Sequence, residues 1–505
     1  MKLEFFGAAG SVTGSCHILR VNDKNILLDC GLFQGRDEKE RGNDIFPFNP
    51  KDIDYVLLSH AHIDHSGRIP LLYKKGFKGE VICTEATMEL SRVMLIDSGH
   101  IHEMEAEWKN RKRARQGLEK VDPLYTVKMA ELSSYLFRGI KYNEVIELFQ
   151  GFKICFKDAG HLLGSSIIEL FIKEENKDEV KIVYSGDLGN INIPIIKDPT
   201  TIDNADYVIM ETTYGNRLHE KGDKEFSELV KIIKDTFRRG GNVVIPSFAV
   251  GRTQEIIYVL NNFIENDELQ GVKVYVDSPL AREATRIFNK HIELYDEEAL
   301  KIINNGDHPL DFEGLVFTQS AEESAQINKV QKGAIIIAAS GMCEAGRIKH
   351  HLKHNLWRKE SSIVFVGYQA EGTLGRAILE GEKKVKIFGE DIAVNAKIYN
   401  LPGLSGHADQ LGLLNWISSF KKKPKEVLLV HGDKEAQNSF KNLLTDKGFK
   451  VRRMNLGDIY YINEKIENTM NVKAEIIKYI NSIADIENMN PEEIIEVIKS
   501  LISKK

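Results

Sequence analysis

The sequence predicts an α/β chain in two architectural parts, a sheet-rich layered body and a doubly wound parallel sheet inserted into it. Three observations carry that prediction. Short apolar runs recur along the whole chain, among them Tyr55-Val56-Leu57-Leu58, Lys181-Ile182-Val183-Tyr184, Val243-Val244-Ile245 and Val427-Leu428-Leu429-Val430. Runs of that length bounded by turn residues read as buried strands. Between positions 205 and 395 they alternate with helical patterns, the mark of a mainly parallel sheet. The third observation is length: 505 residues exceed what one core fills, since single cores stop growing near roughly 250–300 residues, so two or three domains follow.

Along the chain, Leu3-Glu4-Phe5-Phe6-Gly7, Ser15-Cys16-His17-Ile18-Leu19-Arg20-Val21 and Asn25-Ile26-Leu27-Leu28-Asp29 read as short strands joined by Gly, Asn and Asp turns. In the second part, four strands end in Gly- or Ser-bearing turns that open helices. They are Ile245-Pro246-Ser247-Phe248-Ala249-Val250-Gly251-Arg252, Val276-Asp277-Ser278-Pro279, Ile337-Ala338-Ala339-Ser340-Gly341 and Phe365-Val366-Gly367-Tyr368. In a doubly wound sheet such turns gather at the carboxyl edge, where ligands bind. Neither G-x-G-x-x-G nor G-x-x-x-x-G-K-[ST] occurs, which argues against a dinucleotide or P-loop site. Near the end, Asn490-Pro491-Glu492-Glu493 has the cap, N1 proline and early acids of a helix start, and Ile494, Ile498, Leu501 and Ile502 share a face. A small helical appendage is expected over 465–505, its apolar face docked on its own domain.

Lys plus Arg total 68 against 74 Asp plus Glu, a net charge of −6, which excludes a protein that coats polyanions wholesale. Any nucleic-acid contact must come from local patches. With 42% hydrophobic and 28% charged residues the chain reads as soluble and globular. No apolar run approaches membrane-spanning length, and the amino terminus lacks a signal-peptide pattern. The five cysteines are scattered with no C-x-x-C pair, which suits a reducing compartment. A cytoplasmic protein with no membrane partner is expected.

The strongest chemical signal is Ser59-His60-Ala61-His62-Ile63-Asp64-His65-Ser66-Gly67, where a buried strand runs out into three histidines and an aspartate. Residues two apart in extended chain point the same way, so His60 and His62 can bind one ion while Asp64 and His65, on the turn, face another. At this chain's composition such a window arises by chance in roughly two chains per thousand, so a cluster of merely structural histidines is the weaker explanation. A metal pair needs further ligands at other strand ends. His161 stands in Asp158-Ala159-Gly160-His161-Leu162-Leu163-Gly164, Asp187 in Tyr184-Ser185-Gly186-Asp187-Leu188-Gly189, and His431 in Val430-His431-Gly432-Asp433.

These residues resemble the metallo-β-lactamase fold, whose hallmark is H-x-H-x-D-H followed by a distal His, an Asp and a final His. Met210-Glu211-Thr212-Thr213-Tyr214-Gly215, the doubly wound segment, Ser405-Gly406-His407-Ala408-Asp409 and Val430-His431-Gly432 look like motifs A, B and C of the β-CASP nucleases. Within that subfamily the chain is similar to prokaryotic ribonucleases related to the cleavage and polyadenylation endonuclease subunit, over about 1–460. The resemblance implies a four-layer αββα sandwich with an inserted doubly wound β-CASP domain. It divides the chain into 1–210 and 396–464 for the metallo-β-lactamase domain, 211–395 for the insert and 465–505 for the appendage. Carried over residue by residue, it implies one zinc on His60, His62, His161 and Asp187 and a second on Asp64, His65, His431 and the shared Asp187. Asp29 orients the ligand turn from behind. Two ions about 3.5–4 Å apart would generate a bridging hydroxide and clamp a phosphoryl oxygen, with Asp64 and Asp187 in the catalytic set. His407 is the candidate general acid and Glu211 the carboxylate that keeps it protonated. Manganese and iron suit the same donors.

Substrate contacts are expected from the insert. Ser247 and Arg252 on one turn, and Ser340, Gly341 and Arg347 on another, offer amides and a guanidinium for phosphate. His351, Arg376 and, from motif B, Ser405 complete the set. The basic run 109–115 after Trp108 reads mainly as a solvated helix face. The expected partner is single-stranded RNA, since a narrow cleft admits an unpaired backbone most easily. Related enzymes commonly self-associate, so a homodimer is also expected. The rivals are a small-substrate hydrolase on the same fold, disfavoured by the long insert and the Glu211 and His407 pair, and a silent RNA-binding scaffold, disfavoured by the full ligand set.

Overall fold

The computed structural model describes residues 1–219, 222–367, 369–370, 372–401 and 405–462. They fall into two compact units, the larger Glu4–Asp458. In the smaller, Met1–Leu3 lies with strand residues 459–461, and the Ile462 amide donates to the Met1 carbonyl at 3.2 Å. The helical appendage expected over 465–505 lies outside the described residues.

The first sheet contains β1 (Lys2–Gly7), β2 (Cys16–Val21), β3 (Lys24–Leu28), β4 (Tyr55–Leu57), β5 (Glu80–Thr84) and β6 (Phe137–Ile140), neighbours in that order. The β2–β3 hairpin is antiparallel, and β3 to β6 run parallel. A second sheet begins with β7 (Val145–Phe149), β8 (Phe152–Asp158), β9 (Ser166–Ile172), β10 (Val180–Tyr184) and β11 (Tyr207–Met210). The central strands of each sheet are buried on both faces, which is why they are apolar runs and not alternating patterns. In the first sheet Ile18, Leu27, Val56 and Val81 pack outward with Leu95 of the 31-residue helix Glu85–Arg115. In the second, Val183, Val208 and Val427 pack outward with Leu413 and Phe440 of two late helices. The inner faces meet through contacts such as the His17 and Tyr184 rings and the stacked Tyr55 and Phe149. The αββα layering anticipated from the sequence is thus present.

The inserted sheet follows, with β12 (Val243–Pro246), β13 (Lys273–Asp277), β14 (Leu315–Phe317), β15 (Ala334–Ala338) and β16 (Ser362–Phe365). A hairpin of β17 (Lys384–Ile387) and β18 (Glu390–Ala393) precedes the last strand, β19 (Lys397–Asn400). The order is β14-β13-β15-β12-β16-β19, and all neighbours are parallel. That is the doubly wound sheet the alternation predicts. The chain then returns to the second sheet as β20 (Glu426–Leu429) and β21 (Val451–Arg453), with β20 parallel to β11. No helix among the described residues is long and apolar enough to cross a membrane.

The long helix Glu85–Arg115 carries the 109–115 basic run in its last turns. There Lys109 and Arg111 pair with Glu105 and Glu107, and the Lys112 ammonium sits over the Trp108 ring at 3.5 Å. Those i,i+4 pairs fit a solvated face.

Tight backbone approach, rather than side chains alone, fixes the ligand turn after β4. Ser15 and Cys30 amides donate to the Asp64 and His65 carbonyls at 2.8 and 2.7 Å, and a Cβ on Gly31 would stand 1.6 Å from the Asp64 carbonyl oxygen. Because that neighbour is backbone, it cannot step aside. Gly31→Ala is therefore expected to cost about 3 kcal/mol or more in chemical denaturation, with the Asp64 turn displaced. An unchanged denaturation midpoint would contradict this packing.

Candidate metal centre

Five segments converge on one buried spot. Extended residues after β4 deliver His60 and His62, and the short helix Ile63–Ser66 turns Asp64 and His65 inward. The loop after β8 supplies His161, the turn after β10 Asp187, and the turn after β20 His431, whose φ of 46° bends the chain sharply. Two donor groups result, His60, His62, His161 and Asp187 in one and Asp64, His65 and His431 in the other. Within each, the donor atoms lie no more than 4.8 Å apart. Asp187 Oδ2 stands 3.3 Å from His65 Nε2 and 3.5 Å from His60 Nε2, so this carboxylate borders both groups.

Hydrogen bonds on the far side of each ring set which nitrogen faces in. His65 Nδ1–H donates to Asp29 Oδ2 at 2.7 Å, His60 Nδ1–H to Ser59 Oγ at 3.1 Å, His161 Nδ1–H to the Gly406 carbonyl at 3.1 Å and His431 Nδ1–H to Thr213 Oγ1 at 3.1 Å. Each leaves an Nε2 lone pair directed into the centre, the arrangement that orients imidazole ligands of a metal. His62 turns the other way and presents Nδ1, 3.1 Å from His60 Nε2 and 3.2 Å from His161 Nε2. His65 and His431 bring their Nε2 atoms to 3.0 Å. Lone pairs at that separation repel unless a cation lies between them. Asp187 Oδ1 is buried without a hydrogen-bond partner among the described residues, the second sign that the donors fit a cation.

For three of these rings the electrostatics agree. Burial pushes the His60 and His161 rings well below the ordinary imidazole value and His62 down to about 4, which keeps them neutral and ready to ligate. At His65 burial opposes the charge, but Asp187, Asp29 and Asp64 outweigh it and raise the pKa. At Asp64 burial opposes ionisation, yet His65 and His431 bring it down to about 2. The donors are imidazole and carboxylate with no thiolate, a set that suits zinc at an open, reactive site.

Asp29 is fully buried and accepts four hydrogen bonds, from the Ser59 amide (2.7 Å), the Ser59 hydroxyl (2.8 Å), the Tyr184 hydroxyl (2.6 Å) and His65. Ser59, Tyr184 and Thr213 were missed by sequence reasoning. Tyr184 had a visible signal, a polar tip closing an otherwise apolar strand just before Gly186-Asp187, whereas Thr213 lay inside a motif from which only Glu211 was taken. Asp29→Asn is expected to weaken zinc binding about 10- to 100-fold, because the amide cannot hold the His65 tautomer as the carboxylate does. Competition with a chromogenic chelator measures it, and unchanged affinity would contradict the role.

Beside the centre, His407 Nδ1 lies 3.3 Å from Glu211 Oε1 and 3.9 Å from Asp187 Oδ2. Glu211 is itself fixed by the Leu188 amide at 2.7 Å and the Thr213 amide at 3.0 Å. Burial disfavours the charged His407 ring, but Glu211, then Asp187 and Asp64, prevail and raise its pKa to about 9.

The expected substrate contacts are less uniform. Ser340 and Gly341 lie on the turn after β15, and Ser405 Oγ accepts from the His407 amide at 3.3 Å. Arg252 pairs with Glu255, Arg376 with Glu380, and Arg347 donates to Asp277 Oδ1 at 2.7 Å and to the Gln319 carbonyl at 2.8 Å. Two expectations are corrected. His351 is fully buried, with Nε2 2.6 Å from Asp277 Oδ2, and Ser247 is buried with its hydroxyl on the Phe248 carbonyl. Neither can touch a substrate in this structure; both brace the carboxyl edge of the inserted sheet.

Comparison with known families matches residues 9–124 to the Metallo-beta-lactamase superfamily, 253–378 to the Beta-Casp domain and 391–454 to the Zn-dependent metallo-hydrolase RNA specificity domain. Ribonuclease TTHA0252 of Thermus thermophilus is 36% identical over 458 residues, which cover 91% of this chain and 99% of that protein. Transcription termination factor FttA of Methanocaldococcus jannaschii is 31% identical over 445 residues, covering 86% of this chain and 67% of that protein. Among solved structures, a protein of unknown function from Enterococcus faecalis V583 matches with a TM-score of 0.52 at 13% identity over 91% of this chain and 99% of that one, a likeness of fold.

Proposed function

The chain belongs to the β-CASP branch of the metallo-β-lactamase superfamily, and from that premise we propose that it is a zinc-dependent ribonuclease hydrolysing phosphodiester bonds of single-stranded RNA at a two-ion centre. The observation that carries this is the pair of donor groups bordered by Asp187, with His407 and Glu211 alongside.

His60, His62, His161 and Asp187 would hold one zinc; Asp64, His65, His431 and Asp187 the other. Bound there, the ions lower the pKa of water and draw charge from a phosphoryl oxygen. The chain's own residues do the rest. Asp187 ties the two donor groups through one carboxylate. Asp29, through His65, keeps a lone pair aimed inward. Glu211, anchored by two amides, accepts from His407 Nδ1–H and favours the charged ring, so Nε2–H is the proton delivered to the departing 3′ oxygen. The catalytic body takes in 1–210 and 396–464, and 211–395 clamps a strand across it. All five cysteines are free and buried, which supports a reducing, cytoplasmic setting.

The test is cleavage of end-labelled single-stranded RNA, matched DNA and duplex RNA by zinc-replete protein. Single-stranded RNA cut in preference to the others is the expected result. Intact RNA under those conditions would overturn the proposal.

A further inference from the structure

One large aromatic at the carboxyl edge of the inserted sheet is left outside the catalytic account. Phe248 follows the buried strand β12, and its neighbours Ser247, Ala249 and Val250 are at most 9% exposed, yet Phe248 itself is 49% exposed. The turn that holds it out is tightly bonded. The Thr253 hydroxyl donates to the Phe248 carbonyl at 2.6 Å and the Ser247 hydroxyl to the same oxygen at 3.2 Å. Gln254 Oε1 accepts from the Gly251 amide at 2.8 Å, and its Nε2 donates to the Ala249 carbonyl at 3.2 Å. All four bonds end on backbone atoms of residues 248–251, so the turn from which the ring projects is ordered before any ligand covers it, a condition for useful binding.

Its position is equally specific. Ala249 and Val250 share one buried cluster with Ala61, which separates His60 from His62, and with Leu162, which follows His161. A Cβ on Gly251 would stand 3.0 Å from Leu162. Through Gly251, the turn carrying Phe248 thus approaches Leu162, the residue next to the metal donor His161. On its other side the ring meets Gly341, where a Cβ would stand 3.2 Å from the ring carbons. A glycine there leaves the ring room beside the 340–347 turn, and any side chain would crowd it.

We propose that Phe248 is the platform on which one unpaired base of the RNA stacks next to the scissile phosphate. The proposal rests on the ribonuclease reading and adds a residue that determines how the strand is seated. A flat, uncharged and exposed ring suits a base, since every base has a π face, and it demands a single strand because paired bases are covered by their neighbours. Its position near the centre would fix the register in which the backbone crosses the metal donors.

The experiment is a scan of single abasic sites along a defined RNA oligonucleotide, read as kcat/KM for wild type, Phe248→Ala, Phe248→Leu and Phe248→Trp, with zinc content measured in each. In wild type, one abasic position near the cut is expected to lower kcat/KM roughly ten- to a hundredfold. Phe248→Ala and Phe248→Leu should lose a similar factor on intact RNA and become indifferent to that abasic position, while Phe248→Trp keeps both rate and sensitivity. Leucine fills the space without a stacking face, so rescue by Phe248→Leu would reduce the ring to packing and overturn the proposal. Abasic sensitivity in Phe248→Ala equal to wild type would do the same. A wild type that cuts no RNA would instead remove the ribonuclease premise, an outcome distinct from both.

Discussion

Asp187→Ala is expected to abolish RNA cleavage and to drop the zinc content below one ion per chain. Among the described residues its carboxylate alone is within 4 Å of histidines from both donor groups: it lies 3.5 Å from His60, 3.8 Å from His161, 3.3 Å from His65 and 3.6 Å from His431. Removing it takes the negative charge from between two sets of imidazoles, so neither ion keeps its full coordination. The rate should fall by about three orders of magnitude or more, roughly 4 kcal/mol of barrier. Asp187→Asn keeps the shape and loses the charge, and should behave alike. Full zinc content in either variant would move the shared ligand elsewhere.

His407→Ala should give the opposite split, with zinc retained and cleavage reduced about 10²- to 10⁴-fold, the range of a lost general acid. The ring is in neither of the two donor groups, although its Nδ1 lies 3.9 Å from Asp187 Oδ2 and the Gly406 carbonyl beside it accepts from His161, so the variant must leave that backbone in place. The pH profile separates acid catalysis from a structural role. A general acid with its pKa raised to about 9 works below that value and fails as pH rises through it. Glu211 is the largest influence raising it, so in Glu211→Gln the decline should begin at a lower pH than in wild type. Identical alkaline limbs in wild type and Glu211→Gln would remove the pair from proton transfer.

Both parts of this architecture were legible because they rest on local pattern. The apolar runs Val243-Val244-Ile245 and Ala334–Ala338 are buried on both faces, which only a covered parallel sheet requires, and their turns carry the glycines and serines that open helices. The window from His60 to His65 was legible for the same reason, since its spacing alone aims side chains at a common point. What lay hidden depends on contacts distant in sequence. Thr213 meets His431 across 218 positions and Tyr184 meets Asp29 across 155, and no periodicity announces such pairs. His351 misled because basic residues on a helix after a Gly-rich turn look like phosphate donors. Its partner Asp277, 74 positions away, draws it inside instead.

The most direct test of the proposed two-ion centre is titration of metal-stripped protein with zinc while cleavage of labelled single-stranded RNA is followed. Two donor groups joined by Asp187 predict little activity through the first equivalent and a rise to a plateau at two. A plateau at one equivalent, or RNA left intact at two, would contradict it.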